Sequence, residues 1–180
     1  MEKRILVFFL AVFLLLSAAG CSMPENVSPV VPTETVFSVE NYPLQITADS
    51  TFRENTGGSF DLQITNDRCY VSIMAYAYID LPSDTTPLDV FTLQNQEILN
   101  RREAVTLIEE AATQTTARYL LTQALYSAEK DGTKNYYATY LLDFPQDQVF
   151  AWVLVTAAPS YLTGNREMLH DIVCSLTPVQ

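Results

Sequence analysis

The sequence predicts an α+β domain in which helices flank an antiparallel β-sheet, and three observations predict it. Residues 36–80 alternate apolar and polar side chains in short runs divided by turn-forming residues, the pattern of strands. A stretch with helical spacing follows Pro87. Further β-patterned runs joined by tight turns then lead into an amphipathic helix near the C-terminus.

Taken in order, "VFSVE" and "LQITA" are expected strands, divided by the turn residues Asn41, Tyr42 and Pro43. After Thr56, Gly57 and Gly58 comes "SFDLQIT", a third strand, which ends at the break Asn66-Asp67-Arg68. The next run, "CYVSIMAYAYID", puts Cys69, Val71, Ile73, Ala75, Ala77 and Ile79 on one face and Tyr70, Ser72, Met74, Tyr76, Tyr78 and Asp80 on the other. An aliphatic face backed by an aromatic one suits a central strand covered on both sides. The alternative is that the aromatic face is open as a binding surface. A helix is expected over residues 87–113, with Thr86 as N-cap, Pro87 in the first helical position, Asp89 near the positive end and a break at the charged "NRRE". The runs "ARYLLTQALYSAE", "NYYATYLLDF" and "QVFAWVLVTAAP", joined by "KDGT" and "PQD", form an antiparallel meander. In "TGNREMLHDIVCSL", Met168, Leu169, Ile172, Val173 and Leu176 share one helical face.

The first 35 residues read differently. Lys3 and Arg4 precede a twelve-residue apolar run, "ILVFFLAVFLLL", which ends in Ser17, Ala18, Ala19 and Gly20. This is the shape of a secretory signal, and it falls short of the roughly 18 residues of a spanning helix. The small residues before Cys21 resemble the lipobox of bacterial lipoproteins, in which the signal is cut before the cysteine and the thiol is diacylated. An ordinary secreted protein cut after Ala19 or Gly20 is the alternative, at the cost of leaving an exposed odd thiol. Two or three acyl chains anchor stably where one does not. The expected organisation is a signal over residues 1–20, a lipidated Cys21 with a Pro/Ser-rich tether over residues 21–35, and one domain over residues 36–180. Its place would be outside the cytoplasm, held to the cell membrane by lipid.

Composition agrees with one domain: 180 residues, 48% hydrophobic and 17% charged. The formal charge is −11, and removal of residues 1–20 leaves 8 basic and 20 acidic residues, a balance of −12. Such a chain is repelled by phosphate backbones, so no nucleic-acid partner is expected.

The order of elements, the acylated N-terminus, the hairpin "YSAEKDGTKNYYATYLLDF" and the closing "AAPSYLTGNREMLHDIVCSL" resemble the PsbP-like fold. That group includes an extrinsic photosystem protein, a Ran-binding import factor and several bacterial envelope lipoproteins. The resemblance spans residues 36–178 and implies an αβα sandwich. It also implies an accessory or binding module of an envelope complex, with no catalytic residue. The alternative is a solute-binding or enzymatic domain with a pocket lined by Tyr and Asp.

Few residues point to chemistry. The single His170 is expected at the solvent side or rim of the last helix, with neither metal-ligand spacing nor a Ser-His-Asp or Cys-His pair; no metal and no cofactor is expected. Adjacent Glu109 and Glu110 diverge on a helix and read as a solvated face. Asp131-Gly132 is a hairpin turn, because the acidic spacing of a calcium loop is missing. Outside the cytoplasm Cys69 and Cys174 can pair, although Cys174 lies about 160° from the centre of its helix's apolar stripe. Two separate thiols are the alternative. Tyr76 and Tyr78 on one strand, with Tyr136 and Tyr140 on another, are the candidate ligand or partner face, unless they form a second core layer.

Overall fold

The computed structural model describes residues 33–179. The signal, Cys21 and most of the tether therefore lie outside the described residues. Among those described, no helix is long and apolar enough to cross a membrane.

The strands at the start of the chain follow the turn chemistry. β1 (Glu34–Ser38) and β2 (Leu44–Asp49) pair antiparallel around a turn in which Asn41 takes a positive φ of 62°. Asn tolerates that left-handed conformation better than most residues. β3 (Arg53–Glu54) and β4 (Leu62–Thr65) precede β5 (Cys69–Ala77), which a short 3₁₀ turn at Tyr78–Asp80 closes. Between β4 and β5, Asn66 Oδ1 accepts from the backbone N–H groups of Arg68 and Cys69, both at 3.1 Å.

The first helix, α1 (Pro87–Leu99), begins at the expected cap: Thr86 N–H donates to Asp89 Oδ2 at 2.8 Å and Asp89 N–H donates to Thr86 Oγ1 at 3.2 Å. It ends at Asn100, so the expected helix over residues 87–113 is half right. The second half is a strand, β6 (Glu103–Thr115), paired with β7 (Leu120–Lys130). β-Branched Val105, Thr106, Ile108, Thr113 and Thr115 favour the pleated conformation, and pairing with β7 decides it. β7, β8 (Thr133–Phe144) and β9 (Val149–Ala157) form the meander. Its first turn is the two-residue Asp131-Gly132, with φ of 51° and 73°, the signs a type I′ hairpin needs. Two helices, α2 (Pro159–Gly164) and α3 (Arg166–Cys174), and a last short strand, β10 (Thr177–Pro178), complete the chain.

The large sheet has seven strands in the order β3-β4-β5-β9-β8-β7-β6, and a small sheet has three, β1-β2-β10. The strand pairs within both sheets are antiparallel among the described residues. The small sheet, α2 and α3 cover one face of the large sheet, where Ile46, Ile73, Leu142, Val153, Leu169 and Val173 share one core. α1 lies on the other face, where Val90 and Phe91 pack with Leu141, Phe150 and Trp152. Trp152 Nε1 donates to the buried Asn95 Oδ1 at 2.9 Å and so fixes α1 to the sheet. The C-terminal end is held by Ser175, whose hydroxyl accepts from Thr47 N–H at 2.9 Å, and by β10 pairing with β2. Helices on the two faces of an antiparallel sheet make the α+β sandwich expected from the sequence.

Candidate functional site

The four candidate tyrosines do not make one surface. Register places Tyr76 beside Phe150 of β9, and Phe150 beside Asp143 of β8, so the odd positions of β8 share the α1 face with Tyr76. Tyr136 and Tyr140 are even positions and face the opposite core. On the α1 side the Tyr76 ring stacks on Phe150 at 5.0 Å, and Tyr78 meets Phe150 edge-on at 5.7 Å. Tyr78 Oη donates to Asp143 Oδ1 at 2.6 Å. Burial pushes the Tyr76 phenol up to about 12, and burial with the Asp143 hydrogen bond raises Tyr78 as well. Asp143 also lies above its ordinary range, because burial outweighs the bond from Tyr78. The Tyr/Asp pair is thus engaged within the protein. Tyr140 is buried, which holds its phenol up to about 12, and its ring lies 6.1 Å from His170.

His170 has a neighbour that the sequence reading missed. Cys174 is one turn further along α3, and its Sγ lies 3.4 Å from His170 Nε2. The i, i+4 spacing carried that signal. Burial raises the Cys174 thiol above its ordinary range. Cys69 and Cys174 are free thiols, and the disulfide considered from sequence is not formed. Each points to its own polar partner: Cys69 Sγ is 3.4 Å from Asn66 Oδ1, and its thiol is pushed up to about 11, chiefly by burial. Among the described residues, no group of three His, Cys, Asp or Glu is placed to hold a metal ion.

Near His170, a hollow of about 280 Å³ is walled by Tyr140, Gln114, Gln123 and Arg166. Arg166 of α3 meets Glu109 of β6 in a two-point bond, Nη1 to Oε1 and Nη2 to Oε2, both 2.6 Å. That bond holds the Glu109 carboxyl below its ordinary range. Glu109 is therefore strand-borne and engaged, where a helical solvated position was expected.

The feature that sequence reasoning misassigned is an open sheet edge. β6 forms one margin of the large sheet over thirteen residues, and no strand pairs its outer side among the described residues. Val105, Leu107 and Ile108 are 44%, 48% and 40% exposed. Glu103, Glu109 and Glu110 give the strand an acidic character. Three register shifts against β7 bend it. Such an edge offers main-chain donors and acceptors to an added strand, while bulges and charges limit what can add.

No family model and no curated protein matches the chain. Solved structures do. The cyanobacterial PsbP protein (CyanoP) of Synechocystis superposes with a TM-score of 0.60 at 9% identity, over 87% of this chain and 98% of that one. LpqN, described as involved in cell envelope biogenesis of Mycobacterium tuberculosis, gives 0.57 at 14% identity, over 85% and 88%. The Ran-binding protein Mog1p of Saccharomyces cerevisiae gives 0.53 at 10% identity, over 83% and 97%. At these identities the likeness is one of fold, and the fold is PsbP-like.

Proposed function

We propose that this chain is an extracytoplasmic lipoprotein, anchored through lipid on Cys21, whose domain is a non-catalytic module that binds an envelope protein by strand addition to β6. The observation that carries the reading is the thirteen-residue open edge with its half-exposed Val105, Leu107 and Ile108. The small residues before Cys21 support the anchor, and the tether would lift the domain from the lipid surface. Fold neighbours described as involved in cell envelope biogenesis and as Ran-binding support a binding role. The acidic edge favours an extended partner segment with Lys or Arg opposite Glu103 and Glu110.

The test is cross-linking in cells with the full chain, followed by mass spectrometry, for three forms: unchanged, Cys21→Ser, and Val105→Asp with Leu107→Asp. Both edge residues are exposed, so the double variant should fold. A protein captured by the unchanged form and lost with the edge variant supports the reading. Equal capture by both moves the partner off β6. Persistence of Cys21→Ser in the membrane fraction refutes the lipid anchor.

A further inference from the structure

The α1 face of the large sheet is open at one end. There a groove of about 390 Å³ lies beside Ile98 in the last turn of α1, with Phe60 and Tyr70 among its walls and Tyr137 of β8 beneath. The volume suits a small molecule. Two cations reach it, Arg102 from the α1–β6 connection and Lys130 from the end of β7, and none of its lining residues is a carboxylate. In a chain of charge −11 that combination is unusual, and the neighbouring hollows illustrate it. Four other hollows among the described residues each include at least one acid in their lining: Glu109, Asp67, Glu167, or Glu34 with Asp49 and Asp171.

The two cations are also uncommitted. The ion pairs among the described residues use Arg53 with Asp67 and Arg166 with Glu109, not Arg102 or Lys130. Arg102 is nevertheless held in place. Its Nε donates to Tyr137 Oη at 3.0 Å, its Nη1 donates to the Arg101 carbonyl at 3.0 Å, and its guanidinium carbon stands 5.4 Å from the Tyr137 ring centroid. The remaining Nη2 has no hydrogen-bond partner among the described residues. A pre-positioned guanidinium with a free donor, a flexible ammonium and an exposed tyrosine ring define a recognisable ligand chemistry.

We propose that this groove binds a small soluble organic anion: a phosphate or carboxylate held by Arg102 and Lys130, with a ring-bearing body against Tyr70 and Phe60. Tyr70 is 44% exposed, which leaves its ring available for stacking. The surplus of negative charge opposes approach to an anionic membrane surface, whereas one small anion meets the two local cations at contact distance. A free ligand is therefore favoured over a lipid headgroup.

Phenyl phosphate, which joins a ring to an oxyanion, is the probe. The full chain in a neutral detergent is titrated at low ionic strength by calorimetry and by amide NMR. Saturable one-to-one binding is expected, with shifts at Tyr70, Asn135 and Thr156. Affinity should fall about tenfold in Lys130→Gln, where one charge-assisted contact is lost. Arg102→Gln with Lys130→Gln should abolish it. Because Arg102 packs on Tyr137, the exposed Lys130 is the variant that leaves the fold intact. Inorganic phosphate should bind more weakly and phenol not at all; equal affinity for phosphate overturns the ring contact. No saturable binding, or binding unchanged in Lys130→Gln, overturns the site. Tighter Lys130-dependent binding of dihexanoyl phosphatidylglycerol, below its micelle concentration, overturns the free-ligand assignment in favour of a headgroup.

Discussion

On one face of the large sheet Ile73, Leu142 and Val153 are wholly buried beneath the small sheet, α2 and α3. On the other, Phe150 and Trp152 are equally buried beneath α1, while Tyr70, a few residues along the same layer, is 44% exposed. The same strands supply both faces, so the difference lies in the cover. The small sheet and two helices seal the first face, and one thirteen-residue helix shields part of the second. The sealed face supplies most of the buried apolar area that stabilises the fold. The half-covered face keeps its polar and charged groups in reach of solvent, as binding surfaces require.

The sharpest way to break this contrast is a matched pair of truncations. Leu142→Ala leaves a cavity that the sealed core cannot fill, and it should cost on the order of 3 kcal/mol, or roughly 6–12 °C in melting temperature. Leu154→Ala, on the groove side, should cost visibly less, because water entering from the open groove can occupy the space. Thermal unfolding of both variants decides it: equal losses would mean that the open face is packed as tightly as the sealed one.

Next in size is Tyr78→Phe, which removes the donor from Asp143 and leaves a buried carboxylate with no hydrogen-bond partner among the described residues. The expected cost is about 1–3 kcal/mol at neutral pH. Its pH dependence has a definite sign. Asp143 is raised above its unfolded value, so its contribution to stability is fully present below the unfolded value and lost as pH rises through the folded one. Losing the Tyr78 donor raises it further. The deficit of the variant should therefore be greatest near neutrality and shrink on acidification, as followed by melting temperature between pH 7 and pH 4. A deficit independent of pH would mean that Tyr78 acts through packing on Phe150 alone.

The same contrast separates what was legible in the sequence from what was not. Thr86, Pro87 and Asp89 determine a helix start by themselves, and Asp131-Gly132 determines a hairpin, because both are local chemistry. β6 is different. As an exposed edge it has no buried face to impose a period of two, so its apolar residues fit a helical spacing just as well. Its β-branched residues were the available signal. The division of the tyrosines between faces depends on the register of β5 against β9, which are far apart in sequence. Strand parity is readable within each run but not between runs. The groove is harder still, because Phe60, Tyr70, Arg102, Lys130 and Tyr137 come from separate elements that only the folded sheet brings together.

A smaller effect concerns the strain in the open edge. Ala104 holds a φ of 48° just inside β6, a left-handed conformation that costs a residue with a Cβ roughly 1 kcal/mol. Ala104→Gly should relieve it, offset in part by the greater freedom of glycine in the unfolded chain. A rise of one to a few degrees in melting temperature is expected, with about 2–4 °C per kcal/mol for a chain of this size. A fall would mean that the Ala104 methyl makes a contact worth more than the strain.

The smallest expected change tests how the edge is joined to the sealed side. Glu109→Gln breaks the two-point bond from β6 to Arg166 of α3, a bond between side chains 39% and 53% exposed. Solvent screens such a pair, so the loss should stay below about 1 kcal/mol and diminish in high salt. Glu109 is held below its ordinary range, first by the Arg166 hydrogen bond. Its contribution is therefore present above the unfolded carboxylate value and lost as pH falls through the lowered folded one, the reverse of Asp143. Melting temperatures of Glu109→Gln and of the unchanged chain should converge on acidification. If amide exchange in β6 rises while that in β8 and β9 is unchanged, the bond governs the mobility of the edge rather than global stability. Uniform acceleration across the sheet would instead make β6 part of the cooperative core, and strand addition there would have to displace folded structure.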